Sequence, residues 1–401
     1  MTDIGNGTPL TDTPVNNTQA EPVALSELTT FKVGGAPARM ESPATEQELI
    51  DTAIEVWADG DKWMLLGGGS NTLPADEGFE GTVIRILTRG VEELPAERSG
   101  TLSEARVRLR VQAGEPWDDL VAFTVDRGLA GIEALSGIPG STGAAPVQNI
   151  GAYGQELSSS LVAIDFLDYE SGEVRRMPAA ELELGYRTSV LKRGLRGIVL
   201  SVELELHDTA AEASVLGDHL SQPVAYGQLA SALGVQLGDR VPIGRLRDTV
   251  LDLRASKGMV LDPSDPDTNS AGSFFTNPIV TENFARSLPD SAPRWPLAED
   301  LPDRVIPLQE YAGVGPIPGA EPIRTVKLSA AWLIENSGVR KGFRLPGSRA
   351  AISSKHTLAL TNTGGSTADE IAQLARYVQG RVASEFGIIL QPEPMLVGVT
   401  L

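Results

Sequence analysis

The sequence contains no cysteine and only three histidines among its 401 residues. Without cysteine, the chain cannot form a disulfide, a thiol nucleophile or a thiolate metal site. The histidines, His207, His219 and His356, are widely separated in the chain, so we do not expect a metal site built from imidazoles. The lack of disulfide chemistry favours the cytoplasm as the compartment.

Positive charge and long apolar runs are also scarce. The chain has 33 Lys and Arg against 53 Asp and Glu, which gives a formal net charge of −20. Such a charge repels nucleic acids and anionic membranes, because both are bound mainly through Lys and Arg. No apolar run approaches the roughly 20 residues needed to cross a bilayer. We therefore expect no nucleic-acid partner and no membrane insertion, and an anionic substrate would need a local cluster of cations.

The chain is long enough for several packed units, and its patterning divides it into a leader and three of them. Residues 1–22 are rich in Thr, Asn and Pro and lack Lys and Arg, which predicts a disordered leader. Residues 23–92 predict an α/β unit, and alternating apolar residues predict strands through much of residues 93–242. The third unit is predicted over residues 243–401, with the last strand a candidate to return to the first unit. A Pro-rich stretch around residues 286–322 is predicted to be a surface insertion.

Local signals predict where individual elements begin. The capping boxes Thr45-x-x-Glu48 and Ser366-x-x-Asp369 each precede an apolar helical pattern and predict a helix start. Strands are predicted at residues 28–33, 357–361 and 387–390 from their β-branched and apolar residues.

Two glycine-rich segments follow predicted strands, one at residues 66–71 and one at residues 136–143. Glycines allow the backbone to approach a ligand closely and present N–H groups to phosphate oxygens. Neither segment fits a P-loop or the G-x-G-x-x-G dinucleotide fingerprint. By spacing alone, a structural turn is the more frequent explanation of such a segment than phosphate binding.

A family resemblance extends this interpretation. The runs at residues 131–141 and 146–154, together with residues 29–35 and 66–71, closely resemble the UDP-N-acetylenolpyruvoylglucosamine reductase family. The similarity runs in order from about residue 25 to the C-terminus. It implies an α+β architecture, in which a two-subdomain FAD-binding fold of the vanillyl-alcohol oxidase type precedes a C-terminal α/β substrate-binding domain. It also implies that the segments at residues 29–35, 66–71 and 131–154 wrap FAD.

The cofactor is expected to be held non-covalently, because the chain has no Cys and none of its His lies in these segments. The FAD-binding residues that the resemblance implies are Gly67, Gly68, Gly69, Ser70, Asn71, Gly137, Pro139, Gly140, Ser141, Gly143, Asn149, Gly151, Ala152 and Tyr153.

Reduction of an enolpyruvyl ether needs a hydride, stabilisation of the developing negative charge and a proton donor. The resemblance implies that Arg187 binds the enolpyruvyl carboxylate, that Ser273 delivers the proton and that Glu393 assists Arg187. A guanidinium suits a carboxylate because it remains charged and binds bidentately. Pro392 and Pro394 restrict the backbone around Glu393 and so aim its carboxyl group. Considered singly, these are a solvated arginine, a turn serine and a tail glutamate.

Substrate contacts are also implied. Lys257 occupies the position of a phosphate-binding lysine, and Arg254 ends the same predicted helix. The resemblance places Tyr226 over the substrate, as in the longer of two family types, and implies contacts from Asn277 and Asn336. The expected activity is NADPH-dependent reduction of UDP-N-acetylglucosamine enolpyruvate through FAD, a step of peptidoglycan precursor synthesis. A flavin oxidase of the same fold and a non-catalytic flavin-binding protein are the alternatives.

Overall fold

The computed structural model describes residues 22–95, 105–297 and 324–401. The predicted leader, apart from Pro22, and residues 298–322 of the predicted insertion lie outside the described residues. The described α-helices are α1 Leu25–Leu28, α2 Glu46–Ala58, α3 Trp117–Asp126, α4 Ala210–Leu216, α5 Gly227–Leu233, α6 Ile243–Ala255, α7 Glu282–Ala285, α8 Ala330–Asn336 and α9 Ala368–Phe386.

The described strands are β1 Pro37–Glu41, β2 Trp63–Leu66, β3 Thr72–Pro74, β4 Phe79–Arg85, β5 Val91–Leu94, β6 Arg106–Gln112, β7 Leu129–Ala130, β8 Gly151–Ala152, β9 Gln155–Glu156, β10 Leu161–Asp168, β11 Val174–Pro178, β12 Gly197–Asp208, β13 Ile279–Thr281, β14 Arg294–Leu297, β15 Thr325–Leu328, β16 Ala350–Ile352, β17 Leu360–Asn362 and β18 Met395–Val397. Short 3₁₀ helices span Glu133–Leu135, Thr142–Gln148, Leu157–Ser159, Ala179–Leu182 and Pro266–Thr268.

The first unit is a small parallel sheet with the strand order β1-β4-β2. Helix α2 begins at the predicted capping box, because Thr45 accepts a hydrogen bond from the Glu48 N–H and the Glu48 carboxylate accepts one from the Thr45 N–H. The helix buries Leu49, Ala53 and Val56. These residues form the face that packs toward the sheets.

The strand predicted at residues 28–33 is wrong. The Thr29 N–H bonds to the Leu25 carbonyl, which ends helix α1, and Lys32 has a φ of +57°, which turns the chain. Its β-branched and aromatic side chains serve tertiary contacts instead: Thr30 donates to the Ser270 carbonyl at 2.6 Å, and Phe31 packs edge-on against Phe274. The segment therefore ties the N-terminal part of the chain to the third unit.

The second unit is an antiparallel sheet with the order β11-β10-β12-β6-β5, in which β7 also pairs with β12. Its alternating strands bury Leu109, Val111, Ile164 and Leu204 in one core. Helices α5 and α6 share a smaller core with residues of this unit. Helix α6 is thereby carried on the second unit while its C-terminal end leads into the third.

The third unit contains the sheet β13-β15-β14, the hairpin β16-β17 and helices α8 and α9. Helix α9 begins one residue later than predicted, since Thr367 and Glu370 form the capping box instead of Ser366 and Asp369. The strand predicted at residues 357–361 is displaced to β17.

The strand predicted at residues 387–390 is also wrong. Gly387 adopts a φ of +68° as the C-cap of α9, so the chain turns where the strand was expected. The apolar side chain of Leu390 is buried in the core of the third unit and does not mark a strand. The last strand is β18, which pairs in parallel with β3 of the first unit. This pairing carries the C-terminal segment across the molecule. None of the described helices is both long enough and apolar enough to cross a membrane.

Candidate active site

A cavity of about 810 Å³ lies where the three units meet. Both glycine-rich segments border it. The C-terminal end of helix α6 and residues 392–395 border it as well. Among the residues implied by the sequence, those that line it are Gly67, Gly68, Gly69, Ser70, Asn71, Pro139, Gly140, Ser141, Gly143, Gly151, Ala152, Tyr153, Arg187, Tyr226, Lys257, Ser273, Asn277 and Glu393.

The backbones of the two glycine-rich loops are in direct contact. A Cβ atom on Gly68 would lie 2.7 Å from the Gly140 Cα atom, and one on Gly67 would lie 2.3 Å from the Ser141 Oγ atom. Ser70 donates a hydrogen bond to the Pro139 carbonyl at 2.9 Å, which locks the loops together. Any larger residue at Gly68 would force the backbones apart. The glycines thus form a wall in which the main chain itself faces the cavity.

Arg187 occupies the same cavity in a conformation that is unusual for a residue with a side chain. Its φ is +53°, in the left-handed region. The guanidinium donates to the backbone carbonyls of Asn149 at 3.3 Å and Gly151 at 2.8 Å. These hydrogen bonds offset part of the backbone strain at Arg187. Its Nε atom lies 3.3 Å from Glu393 Oε1. The backbone of one loop, residues 149–151, therefore holds the guanidinium beside a carboxyl group.

The main chain of Glu393 is held by hydrogen bonds at both its N–H and its carbonyl group. Its N–H donates to the Phe274 carbonyl at 2.8 Å, and its carbonyl accepts from Asn71 Nδ2 at 3.3 Å. Its side chain is 13% exposed and accepts a hydrogen bond from Gln148 Nε2 at 3.1 Å. Burial raises the pKa of Glu393, and the charges of Arg187 and Lys192 only partly oppose that rise. The carboxyl group therefore keeps its proton to a higher pH than a solvated glutamic acid would.

Ser273 lies next to this pair, because residues 274–276 are paired with the segment that carries Glu393. Thr276 donates its N–H to the Gln391 carbonyl at 3.0 Å, and Phe275 bridges to Pro392. The Ser273 hydroxyl lines the cavity and makes no hydrogen bond with the described residues. It is thus available to a ligand, and the site offers a cation, a protonatable carboxyl group and a hydroxyl around one space.

Comparisons with known proteins agree on the family to which this chain belongs. A family model described as "UDP-N-acetylenolpyruvoylglucosamine reductase, C-terminal domain" matches residues 263–397, and one described as "FAD binding domain" matches residues 37–178. The chain is 63% identical over 384 residues to the UDP-N-acetylenolpyruvoylglucosamine reductase of Leifsonia xyli subsp. xyli, covering 95% of this chain and 100% of that protein. The chain belongs to the UDP-N-acetylenolpyruvoylglucosamine reductase family.

Two further members of the family show how widely the similarity extends. The Thermobifida fusca reductase is 46% identical over 95% of this chain and 99% of that protein. The crystal structure of the Thermus caldophilus reductase superposes with a TM-score of 0.57 at 26% identity, covering 94% of this chain and 97% of that one. The predicted family is confirmed, and so is the predicted α+β architecture of an FAD-binding region followed by a C-terminal domain.

A cationic side of the site lies at the end of helix α6. Lys257 donates to Gln228 Oε1 at 2.9 Å, and its ammonium lies 5.3 Å from the centre of the Tyr153 ring. Tyr226 packs edge-on against Tyr153 at 5.8 Å and is 45% exposed. Arg254 is buried, its Nε atom has no hydrogen-bond partner among the described residues, and burial lowers its pKa to about 10. That Nε atom is closed off from solvent beside Gly137, so Arg254 offers a ligand in the cavity its positive charge and not this N–H group.

Three residues of the sequence-based set do not line the cavity. Gly137 lies behind its loop and donates its N–H to Asp118 at 2.6 Å. Asn149 is buried with a φ of +46° and supports Arg187 through its carbonyl. The Asn336 side chain is exposed and donates to the Trp332 carbonyl of its own helix at 2.8 Å. The segment at residues 29–35, expected against the flavin, likewise lies outside the cavity lining.

The cavity is also lined by polar residues that were not in the predicted set, among them Gln148, Tyr186, Lys192 and His356. The Tyr186 hydroxyl accepts the Asn277 N–H at 3.4 Å, which supports one of the implied substrate residues. Burial lowers the pKa of His356 to about 4, so this histidine is neutral at physiological pH. Gln148 and Lys192 stood in the resembling runs or beside them, but only the folded arrangement shows that they converge on Glu393.

Proposed function

We propose that this protein reduces UDP-N-acetylglucosamine enolpyruvate to UDP-N-acetylmuramate in the cytoplasm, using NADPH as the reductant and a non-covalently held FAD. The observation that carries the proposal is the placement of Arg187, Ser273 and Glu393 around one cavity between the FAD-binding region and the C-terminal domain.

The residues present fit FAD. The loops at residues 67–69 and 139–141 line the cavity and would lie against the cofactor, and the absence of a Cβ at Gly67 and Gly68 lets the two loops pack closely enough to do so side by side. Arg254 lines the same cavity, and its positive charge would favour the anionic diphosphate of such a ligand. When bound, FAD supplies the redox chemistry between NADPH and the enolpyruvyl group.

The chain's own residues supply the charge and proton chemistry. Arg187 would bind the enolpyruvyl carboxylate, where it meets the negative charge that develops as hydride reaches the methylene carbon. Glu393 assists as a hydrogen-bond donor, which its raised pKa permits, because an ionised carboxylate would repel that charge. The Ser273 hydroxyl gives its proton to the adjacent carbon. One hydride and one proton thus saturate the double bond.

The sugar nucleotide would be anchored through its diphosphate. Lys257 provides the cation, and Tyr226 lies at the cavity edge with room to close over the substrate. Asn277 lines the cavity, where its Oδ1 accepts the Ala330 N–H at 2.9 Å and its side chain also bonds to the Tyr186 hydroxyl, so these two residues hold it in place beside the substrate. Asn336 would need another side-chain orientation to contribute.

The activity is tested by following NADPH absorbance with FAD-loaded protein, with and without UDP-N-acetylglucosamine enolpyruvate. We expect oxidation that depends on the sugar nucleotide and consumes one NADPH for each molecule. Oxidation that proceeds without it and consumes oxygen would replace the reductase with a flavin oxidase. An FAD-loaded protein that never oxidises NADPH would indicate a non-catalytic flavin-binding protein.

The role of Ser273 has its own test. We expect Ser273→Ala to slow flavin reoxidation by the substrate by about 10²–10⁴-fold, the usual contribution of a general acid, while NADPH still reduces the flavin normally. Stopped-flow absorbance separates the two half-reactions. Ser159→Ala, at an exposed position outside the cavity lining, is the matched control. Reoxidation of Ser273→Ala at the wild-type rate would exclude the proton-donor role.

A further inference from the structure

The side-chain amide of Gln148 lies between Lys192 and Glu393. Its Oε1 atom accepts from Lys192 Nζ at 3.3 Å and from Asn71 Nδ2 at 3.2 Å, while its Nε2 donates to Glu393 Oε1 at 3.1 Å. In the reversed orientation the amide N–H groups would face two other donors. Lys192 and Asn71 therefore fix the direction in which Gln148 points its donor.

This direction makes the two oxygens of Glu393 unequal. Oε1 accepts the Gln148 N–H and lies 3.3 Å from Arg187 Nε. Oε2 has no hydrogen-bond partner among the described residues. A proton on Oε1 would be directed toward groups that are themselves donors, whereas a proton on Oε2 would not. When the carboxyl group is protonated, the hydrogen is therefore placed on Oε2.

We propose that Lys192 is a positioning residue for the reaction, which acts through Gln148 to direct the proton of Glu393 to Oε2, the oxygen left for the substrate. The inference rests on the proposed function of Glu393 as a hydrogen-bond donor. The charged and titratable groups that face Glu393 are Arg187, Lys192 and Tyr186. Of these, Lys192 is the only one on the amide side, and it is exposed enough to be replaced without opening the core.

Lys192 also affects the pH at which Glu393 ionises. Its positive charge favours the ionised carboxylate, in opposition to the burial that raises the Glu393 pKa. Removing the charge should therefore raise that pKa further. If the reaction needs protonated Glu393, its rate falls as pH rises through this pKa, and in Lys192→Met that fall moves to higher pH.

The experiment measures flavin reoxidation by UDP-N-acetylglucosamine enolpyruvate against pH in the FAD-loaded enzyme. Lys192→Met should lower the rate about three- to tenfold, which is the size expected for one hydrogen bond to a partly solvated cation. Its alkaline limb should move to higher pH with an unchanged KM. Lys192→Arg, which keeps the charge and a donor, should restore most of the rate. Lys62→Met, which removes an exposed lysine of the first unit, is the control.

A second measurement does not depend on turnover. Infrared difference spectra of the protein against Glu393→Gln should show the carbonyl stretch of the protonated carboxylic acid, and its titration should move to higher pH in Lys192→Met. An unmoved titration and pH limb would overturn the proposal. A raised KM with an unmoved limb would also overturn it and make Lys192 a substrate contact. If the wild type does not reduce the sugar nucleotide, the proposed function fails, and the infrared titration still decides whether Lys192 acts on Glu393.

Discussion

Asp118 and Glu393 each face an arginine, but the two pairs are built differently. Arg247 meets Asp118 with two hydrogen bonds, of 2.6 and 2.9 Å, and the Gly137 N–H donates to the same carboxylate at 2.6 Å. Burial disfavours the charged form of Asp118, yet these hydrogen bonds outweigh it and lower the pKa of the carboxyl group. Glu393 has a single 3.3 Å contact with Arg187, and burial raises its pKa.

The difference separates a pair whose hydrogen bonds are used within the fold from a pair with an unengaged oxygen, as the proposed reaction requires. In the Asp118 pair, three hydrogen bonds engage both carboxylate oxygens. In the Glu393 pair, one oxygen is engaged, the other is not, and Arg187 is fixed by backbone carbonyls instead of by its acid. The presence of an arginine beside an acid does not indicate function; the unused hydrogen-bonding capacity does.

The largest effect is expected when the arginine of each pair becomes lysine. Arg187→Lys keeps a charge but cannot make the three contacts of the guanidinium, so flavin reoxidation by substrate should fall about 10²–10³-fold, as for the loss of one transition-state donor. Arg247→Lys is the matched control, and its reoxidation rate should stay close to that of the wild type. Stopped-flow measurements of both variants decide the matter. Equal losses in the two would end the distinction between the pairs.

The sequence predicted the parts of this site that stand in the runs resembling the family. The glycines of the two loops, Arg187 and Glu393 stand in short runs that resemble the family, and that resemblance, not the local pattern, singled them out; the structure brings them to one cavity. The position of Asn336 could not be predicted, because its rotamer depends on a hydrogen bond to the Trp332 carbonyl.

Long-range contacts were equally invisible to local patterns. Lys192 reaches Gln148 across 44 positions, and Gln148 reaches Glu393 across 245. The same limit explains the strand wrongly predicted at residues 28–33. The β-branched and aromatic residues of this segment favour an extended chain. In the structure, Thr30 instead donates a hydrogen bond to Ser270 and Phe31 packs against Phe274.

A smaller effect is expected on stability at the Asp118 pair. Asp118→Asn removes the charge while leaving an acceptor for Gly137, and the partly exposed pair is screened by solvent, so the loss should be about 1 kcal/mol near neutral pH. The folded-state pKa of Asp118 is lowered, so its contribution is present above its unfolded pKa and is lost as pH falls through the folded pKa. Urea unfolding of wild type and variant at several pH values should show the two curves converging in acid. A constant gap across pH would show that the charge of Asp118 does not contribute.

The smallest effect is expected at Glu393, and it has the opposite sign. Its folded-state pKa is raised, so the folded protein binds a proton that the unfolded chain has released, and stability falls as pH rises from the unfolded pKa to the folded one. Glu393→Gln lacks this loss, because glutamine can still accept from Arg187 Nε without carrying a charge. Its stability relative to wild type should therefore grow with pH, to about 0.5 kcal/mol, the gain typical of relieving a functional compromise. Urea unfolding measured beside Asp118→Asn would show one difference rising with pH and the other falling. Parallel trends would mean that the charge of Glu393, like that of Asp118, stabilises the folded protein, which would contradict the proposed role toward the substrate.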